Sequence, residues 1–321
     1  MNIAIDTGNK NIKTVSQVFV SGIAERATEP TMSPKTDWIR YNGTYYVLSE
    51  LREEYLRDKS ESNRYFILAL IGIVKELERA ESLGQLRYDR DTEYNVRLLT
   101  GLPPAHMEDG DLKKNYRRYF NTGGPVQVFY NGRTWVINIR SVRIYAQCFA
   151  ALMSKPELLI GKNRVLAVDI GGLTSDYMEL IKGKIVPEHT DSMENGVIPF
   201  YRSVARACRK KFDAIVDESD VDAILLDGDV GSYEPELVDV VYAEAERYAD
   251  KFLSTFRELQ IDLKYSFVVF LGGGSVLLWK FLQKSPLLRN CTLLPDVKAN
   301  AIGYDKMYRN SSKNTGNAED D

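Results

Sequence analysis

The sequence is poor in the residues that most often carry metal or redox chemistry. Its 321 residues include two histidines, His106 and His189, and three cysteines, Cys148, Cys208 and Cys291. The cysteines stand far apart, their number is odd and none belongs to a CxxC pair. That excludes a disulfide framework and a structural zinc knuckle and fits a reducing compartment. Two histidines leave little scope for a histidine metal centre or a hydrolytic triad. The most apolar stretch, YFILALIGIVKEL from Tyr65, meets charge too soon to span a bilayer. There is no GxxxxGK[ST] loop, and no GxGxxG follows a strand, so the P-loop and dinucleotide fingerprints are both missing. No charge of one sign dominates: 42 Lys and Arg against 45 Asp and Glu give −3, which removes any general pull towards nucleic acid or membranes. The first residues already read as a strand, so no secretory leader is expected.

What is present is an ordinary globular composition, 44% hydrophobic and 27% charged, at a length that suits two medium domains. Residues 2–5, 12–20 and about 23–27 read as three meandering strands. Residues 37–48 and 125–145 read as hairpins turning at Asn42-Gly43 and Asn131-Gly132. A helix is expected over 65–83, where Phe66, Leu70, Ile73, Val74 and Leu77 share a face. NVRLLTGLP reads as a buried strand, DGDLKKNYRRYF as a short helix and AQCFAALM as the start of another. The second half repeats the plan. RVLAVDI, DYMELI and GKIVPEHT read as strands, NGVIPFYRSVARACRKKF as a helix, and PELVDVVYAEAERYADKFLSTFRELQ as a long helix entered through Pro235. SFVVFLGGGSVLL reads as a strand, a glycine turn and a helix start. The tail NSSKNTGNAEDD is expected to be disordered. Two such halves make an α/β duplication, with a ligand expected in the cleft between them.

Three turns carry the candidate chemistry. The first strand ends in IDTGNKNIK, the strand from Arg164 in VDIGGLTSD, and the strand from Ser266 in FLGGGS. Glycines in a strand–turn–strand unit let backbone amides wrap phosphate oxygens. A carboxylate at the strand end cannot bind phosphate directly, but it can bind a hydrated Mg²⁺ that bridges phosphates. The first turn thus offers Asp6 to a metal shell, Gly8 and Asn9 as backbone donors, and Lys13 or Lys10 as charge. The second offers Asp169, the amides of Gly171, Gly172 and Leu173, and the Thr174 hydroxyl. The third sets Gly272, Gly273 and Gly274 before a helix N-terminus, which suits close approach of a base or ribose. Each turn alone is an ordinary tight turn. Three in this order, each after a buried strand, are far more specific.

Together the three turns resemble, in order, the phosphate-1, phosphate-2 and adenosine motifs of the actin/Hsp70/sugar-kinase superfamily. LLTGLPPAHM, VRIYAQCFAAL and ANAIGYDKM are similar to segments of the bacterial actin-like proteins of the plasmid-segregation (ParM/StbA) type. The resemblance covers all but the tail and part of the 30–60 region. It implies a duplicated ribonuclease-H-like, actin-like two-domain fold with a nucleotide cleft between the domains. Residues 1–161 plus 303–321 would form one domain, with a small insertion near 28–75. Residues 162–302 would form the other, with a helical insertion near 191–264. It further implies that Asp6 and Asp169 hold Mg²⁺ through water, that Gly8, Asn9, Asn11 and Lys13 bind the β- and γ-phosphates, and that Gly171, Gly172, Leu173 and Thr174 cradle the other side. Gln147 would position the attacking water with help from Asp169, and Gly272, Gly273, Gly274 and Ser275 would border the adenosine. ATP or ADP would be the nucleotide. A neutral glutamine is a poor base, so hydrolysis is expected to be slow.

The implied activity is that of a filament-forming ATPase. Its partner would be itself, together with a DNA-binding adaptor on a centromere-like plasmid site. It would have no direct contact with nucleic acid or membrane and would reside in the cytoplasm. The competing reading is a monomeric small-molecule kinase of the same superfamily, which the scattered cysteines and the missing zinc motif disfavour. A chaperone-type ATPase would need room for a substrate-binding domain after residue 310, and a membrane-tethered homologue an apolar terminus. Asp176 is read as a hairpin cap, His106 and His189 as surface residues, and the face bearing Arg202, Arg206, Arg209, Lys210 and Lys211 as solvated, with a ribose or phosphate contact or a subunit contact as the alternative.

Overall fold

The glycine turns after Asp6 and Asp169 sit on two repeats of one strand pattern, each in its own compact unit. The computed structural model describes residues 1–30, 37–49, 56 and 58–314. The units comprise Met1–Lys155 with Lys298–Asp321, and Pro156–Val297.

In the first unit the buried run Ile3-Ala4-Ile5 lies in β1 (Asn2–Thr7). β1 pairs antiparallel with β2 (Asn11–Thr14), which pairs antiparallel with β3 (Val18–Val20). On its other side β1 runs parallel to β7 (Glu93–Leu102), and β7 parallel to β9 (Arg133–Ala146). The second unit repeats the order. β10 (Arg164–Ile170) pairs antiparallel with β11 (Ser175–Ile181) and β11 with β12 (Lys184–Met193). β10 runs parallel to β13 (Phe267–Leu271), and β13 to β14 (Asn290–Leu293). Both five-strand sets therefore share one topology, β3-β2-β1-β7-β9 and β12-β11-β10-β13-β14. This is the expected α/β duplication. Parallel strands buried on both faces need apolar residues, and β1, β10 and β13 carry continuous apolar runs at residues 3–5, 165–168 and 267–271. β7 alternates at first, with Tyr94 and Val96 buried and Asn95 exposed, and is wholly buried only from Leu98 on.

The first sheet extends past β9 through β8 (Val126–Tyr130), β5 (Trp38–Tyr41), β6 (Thr44–Ser49) and β4 (Gly22–Arg26). Both expected Asn-Gly turns form with positive φ at both residues, 47° and 82° at Asn42-Gly43 and 49° and 76° at Asn131-Gly132. Two strand expectations are corrected. Residues 12–20 form two strands, because Thr14 Oγ1 accepts the Ser16 and Gln17 amides and turns the chain. The segment near 23–27 leaves the meander and pairs with β6. Within the 28–75 region, residues 31–36, 50–55 and 57 lie outside the described residues. β5 and β6 there continue the sheet, while α1 (Arg64–Ser82) supplies the buried core face of the unit.

Helices α2 (Gly110–Phe120) and α3 (Phe149–Ser154) complete the first unit with α8 (Ala299–Asn314). The tail expected to be disordered from Asn310 is helical to Asn314, and the rest of it lies outside the described residues. Tyr304 of α8 is fully buried and stacks on Tyr145 with ring centroids 5.7 Å apart. Lys306 Nζ donates to the Ser154 carbonyl over 2.6 Å. The second unit carries α4 (Val197–Phe212), α5 (Glu218–Asp222), a π-helical turn at Ala223–Asp227, α6 (Pro235–Glu258) and α7 (Gly273–Leu282). Its core joins α4 and α6 to the β10 and β13 face through Val204, Cys208, Val241, Phe252 and Phe256.

The docking of α8 depends on one missing side chain. A Cβ at Gly303 would overlap the carbonyl of Ala150 in α3. Gly303→Ala, a change that favours an isolated helix by about 1 kcal/mol, should therefore destabilise this protein by about 1–3 kcal/mol through overpacking. Gly110→Ala, where nothing lies within 4 Å of the new carbon, should be near neutral. Chemical denaturation of the two variants checks the contrast.

Candidate functional site

In the first unit the chemistry gathers on the carboxylate of Asp6, which is 2% exposed. β1 ends one residue later, at Thr7, and the chain turns through Gly8–Lys10 into β2. Register sets Lys13 opposite Asp6, and its Nζ lies 3.4 Å from Asp6 Oδ2. Gln147 Nε2 donates to Asp6 Oδ1 over 2.9 Å. Three predicted residues, two from the β1–β2 hairpin and one from the corner after β9, thus meet at one buried charge. Gly8 has a steric reason: a Cβ there would stand 2.5 Å from the Asn11 carbonyl and 2.7 Å from Lys13 Nζ. The Gly8 and Asn9 amides have no backbone acceptor among the described residues, leaving them for an anion.

Gln147 does not open a helix, contrary to expectation. β9 runs on to Ala146, and α3 begins at Phe149. Between them Cys148 sits at φ 65°, ψ −59°, and the Phe149 amide donates to the Gln147 carbonyl over 2.6 Å. This is the rare positive-φ γ-turn, costing a non-glycine residue about 1–3 kcal/mol. Three bonds hold it. The Gln147 amide donates to the Leu102 carbonyl over 2.9 Å, the Cys148 amide to Asn300 Oδ1 over 3.0 Å, and the Gln147 side chain to Asp6. Strain at this corner aims the Gln147 side chain at Asp6.

The turn also has supports that the sequence did not reveal. Lys59, buried at 7% exposure, donates to the Thr7 carbonyl over 2.5 Å, and its ammonium lies 5.0 Å from the Tyr65 ring centre. The Tyr65 hydroxyl donates to Asn9 Oδ1 over 2.7 Å. Thr7 Oγ1 pairs with the Tyr116 hydroxyl at 2.7 Å, and burial pushes that phenol's pKa up. These residues come from other elements and match no local motif, so only the fold brings them to the turn.

In the second unit the Gly171–Thr174 turn closes the β10–β11 hairpin, with the Gly171 amide donating to the Thr174 carbonyl. The Gly172, Leu173 and Thr174 amides have no backbone acceptor among the described residues. The carbonyls of Gly171, Gly172 and Leu173 accept from Val197, Ile198 and Gly196, so the turn is fixed to the start of α4. Asp169 stands directly across from Asp176 in the β-ladder. Two opposed carboxylates repel, and Ser192 Oγ donates to Asp176 Oδ1 over 2.6 Å. Asp176 thus belongs to a polar cross-strand group as well as to the hairpin. The triple glycine divides by role. A Cβ at Gly272, where φ is 83°, would overlap Asp169 Oδ1, and one at Gly274 would press on Ile170. Gly273 faces open space. Ser275 Oγ is buried and has no hydrogen-bond partner, the kind of atom that a ligand or water completes.

A cavity of about 380 Å³ lies in this unit between α4 and α6, and Asn195, Arg206, Glu244, Arg247 and Tyr248 are among the residues lining it. Ser203 Oγ donates to Glu244 Oε2 over 2.6 Å, and Arg247 pairs with Glu244 and donates to Ser203. Burial opposes the Glu244 charge, but the Ser203 and Arg247 bonds outweigh it and hold its pKa below the ordinary carboxylate value. The Tyr248 hydroxyl donates to the carbonyls of Asn195 and Gly196, next to the phosphate-type turn. Arg206, on the α4 face read as solvated, therefore lines a cavity. Residues from two helices build it, so no contiguous motif announced it. His189, partly exposed on β12, also has a partner, since its Nδ1 lies 2.6 Å from the buried Glu179 carboxylate. Among the described residues no group of three His, Cys, Asp or Glu side chains converges as a metal cage, and no helix is long and apolar enough to cross a membrane.

Residues 4–149 match the family model for the N-terminal domain of actin-like proteins, and residues 167–284 that for the C-terminal domain of the archaeal MreB-like actin homologue. No curated protein matches the sequence. Among solved structures the chain resembles the apo ParM protein of psk41, at TM-score 0.69 and 17% identity over 98% of each chain. It resembles an archaeal actin homologue in complex with ADP, at 0.69 and 18%, over 96% of this chain and 99% of that one. A 15-stranded ParM filament from Clostridium botulinum aligns at 0.69 and 19% over the same shares. The fold is thus the actin-like two-domain fold.

The glycine geometry separates two packed positions, Gly272 and Gly274, from an open one, Gly273. Gly272→Ala should cost about 1–3 kcal/mol in chemical denaturation through strain and overlap with Asp169. Gly273→Ala should leave stability within about 0.5 kcal/mol and weaken nucleotide binding in a fluorescence titration.

Proposed function

The chain belongs to the actin-like proteins, and from that premise we propose that it is a nucleotide-dependent, filament-forming ATPase whose two half-sites act on one nucleotide. The observation that carries the proposal is the buried Asp6 with Lys13 and Gln147 upon it. A carboxylate has about four lone-pair sites, and two partners leave Asp6 the capacity to accept water from a metal shell. In this reading Asp6 and Asp169 would hold a hydrated Mg²⁺ through its water, and such an ion would supply charge neutralisation between phosphates.

The protein's own residues then have defined tasks. The amides of Gly8 and Asn9, with Asn11, bind the terminal phosphates, and the Gly172, Leu173 and Thr174 amides bind them from the second unit. Lys13, tethered to Asp6 in this structure, adds positive charge. Gln147 spends its Nε2 on Asp6, which fixes the amide plane and leaves Oε1 to accept a hydrogen bond from the attacking water. Hydrolysis then rests on positioning rather than on a strong base, so turnover is slow. The cavity between α4 and α6 takes the base and ribose, because it adjoins the phosphate turn and its volume and mixed lining suit a nucleoside.

The polymer step draws support from the ParM filament whose fold this chain shares. In this reading the filament segregates plasmid DNA through a separate DNA-binding adaptor, in the cytoplasm, and the protein touches neither DNA nor membrane. The near-neutral net charge of −3 agrees with cargo held at second hand.

Phosphate release and light scattering recorded together test the assignment. Gln147→Ala and Asp169→Ala should still assemble with ATP, release phosphate about a hundredfold more slowly and fail to disassemble. Wild-type phosphate release in both would refute the roles given to these residues. Phosphate transfer to a small acceptor without assembly would make the protein a kinase.

A further inference from the structure

The second unit separates charge by position. Residues 213–234, between α4 and α6, contain eight acidic residues and no lysine or arginine, although the whole chain carries only −3. Part of this acidity is structural. Asp217 caps α5 through the Ser219 and Asp220 amides, and Asp222 accepts from the Tyr201 hydroxyl. The rest surrounds exposed apolar side chains. Ile215 is 89% exposed between the partly buried Ala214 and the buried Val216, and Leu226 and Val230 are also exposed.

A groove of opposite character lies at the strand-start edge of the same sheet. Register sets Arg164 beside Ile181, Val165 beside Phe267, and Phe267 beside Asn290, so these strand ends share one edge. The groove there has a volume of about 410 Å³ and is lined by Lys162, Arg164, Tyr265, Phe267 and Asn290 among others. Lys162 Nζ lies 4.5 Å from the Phe267 ring centre. Tyr265 and Ile160 are exposed beside it, and Lys182, Lys184, Lys264 and Arg289 stand exposed around the same edge. The Gly171–Thr174 turn is at the other end of β10, so the groove is not part of the nucleotide half-site.

We propose that the groove receives the acidic segment 213–234, with its exposed Ile215, Leu226 and Val230, from a second copy of this chain. The inference rests on the filament reading above and supplies a contact that it leaves undefined. A cationic groove with exposed aromatic and aliphatic side chains wants an acidic partner with an apolar tip, and this chain carries one. The two patches share no residue, so the contact is heterologous: each copy presents a groove at one place and an acidic tip at another. A heterologous contact that does not close into a ring repeats into an open polymer. Its electrostatic part is screened by salt, and the apolar tip supplies what salt does not remove.

Charge reversal in sedimentation with ATP tests the pairing. One variant carries Lys162→Glu with Lys264→Glu, and the other Asp227→Lys with Asp229→Lys. All four positions are exposed, and thermal melting of each variant establishes that it is folded. Each variant alone should raise the critical concentration by about tenfold or more, because like charges then face each other. An equimolar mixture should pellet like wild type. In the mixture the acidic groove of one variant meets the basic segment of the other, and the remaining contact is unchanged, so an alternating copolymer grows. If wild type pellets and the folded variants pellet equally well alone, the contact is wrong and the filament reading stands. If both variants fail and the mixture fails with them, the two patches are not partners. If wild type does not pellet with nucleotide under any condition, the filament reading falls and takes this contact with it.

Discussion

A buried carboxylate organises the first unit. Asp6 lies at the end of a central strand, almost out of water, and a charge there is tolerable only with partners. Lys13 reaches it across the β1–β2 hairpin, and Gln147 reaches it from the corner after β9. Much of the surrounding geometry serves that arrangement. Gly8 lacks a side chain where Lys13 must pass, Cys148 accepts a positive φ so that Gln147 is aimed, and Asn300 at the start of α8 holds the corner. α8, which also packs on Ala4 of β1, thereby helps to hold the corner that aims Gln147 at Asp6.

The second unit solves a related problem differently. Its strand-end carboxylate, Asp169, faces Asp176 across the ladder, and Gly272 leaves room for it. Its turn is tied by three carbonyls to the first residues of α4. α4 and α6 then enclose the cavity assigned to the base and ribose. Any shift of α4 must move the turn or break those bonds. This offers a physical route by which the state of the phosphates could reach the helical part of the unit, including the acidic segment that follows α4.

Much of the fold was legible in the sequence. Continuous apolar runs marked β1, β10 and β13, because parallel strands buried on both faces need them, and the NVRLLTGLP stretch with its Gly101-Leu102-Pro103 end marked β7. Asn-Gly pairs marked two hairpins, and apolar spacing marked α1, α4 and α6. What escaped was set by tertiary contacts. Thr14 splits the 12–20 run by accepting two amides, a choice invisible in a run of β-formers. The helix through Asn314 is polar along its last turns, and composition alone argued for disorder. At the site, Asp6, Gly8, Lys13 and Gln147 were named from motif and resemblance, and the fold brings them together. Lys59, Tyr65 and Tyr116 were not named, since each reaches the turn from a separate helical element. The γ-turn at Cys148 left no trace either, because a cysteine gives no signal of positive φ. The α4–α6 cavity is built by residues spaced along two helices, where an amphipathic pattern reads as a solvated face.

The central claim is that nucleotide controls assembly of this chain. Electron microscopy of the purified protein without nucleotide, with ATP and with a non-hydrolysable analogue tests it most directly. The account predicts dispersed protein in the first sample, filaments that shorten as ATP is consumed in the second, and persistent filaments in the third. Equal assembly in all three samples, or none in any, would contradict it.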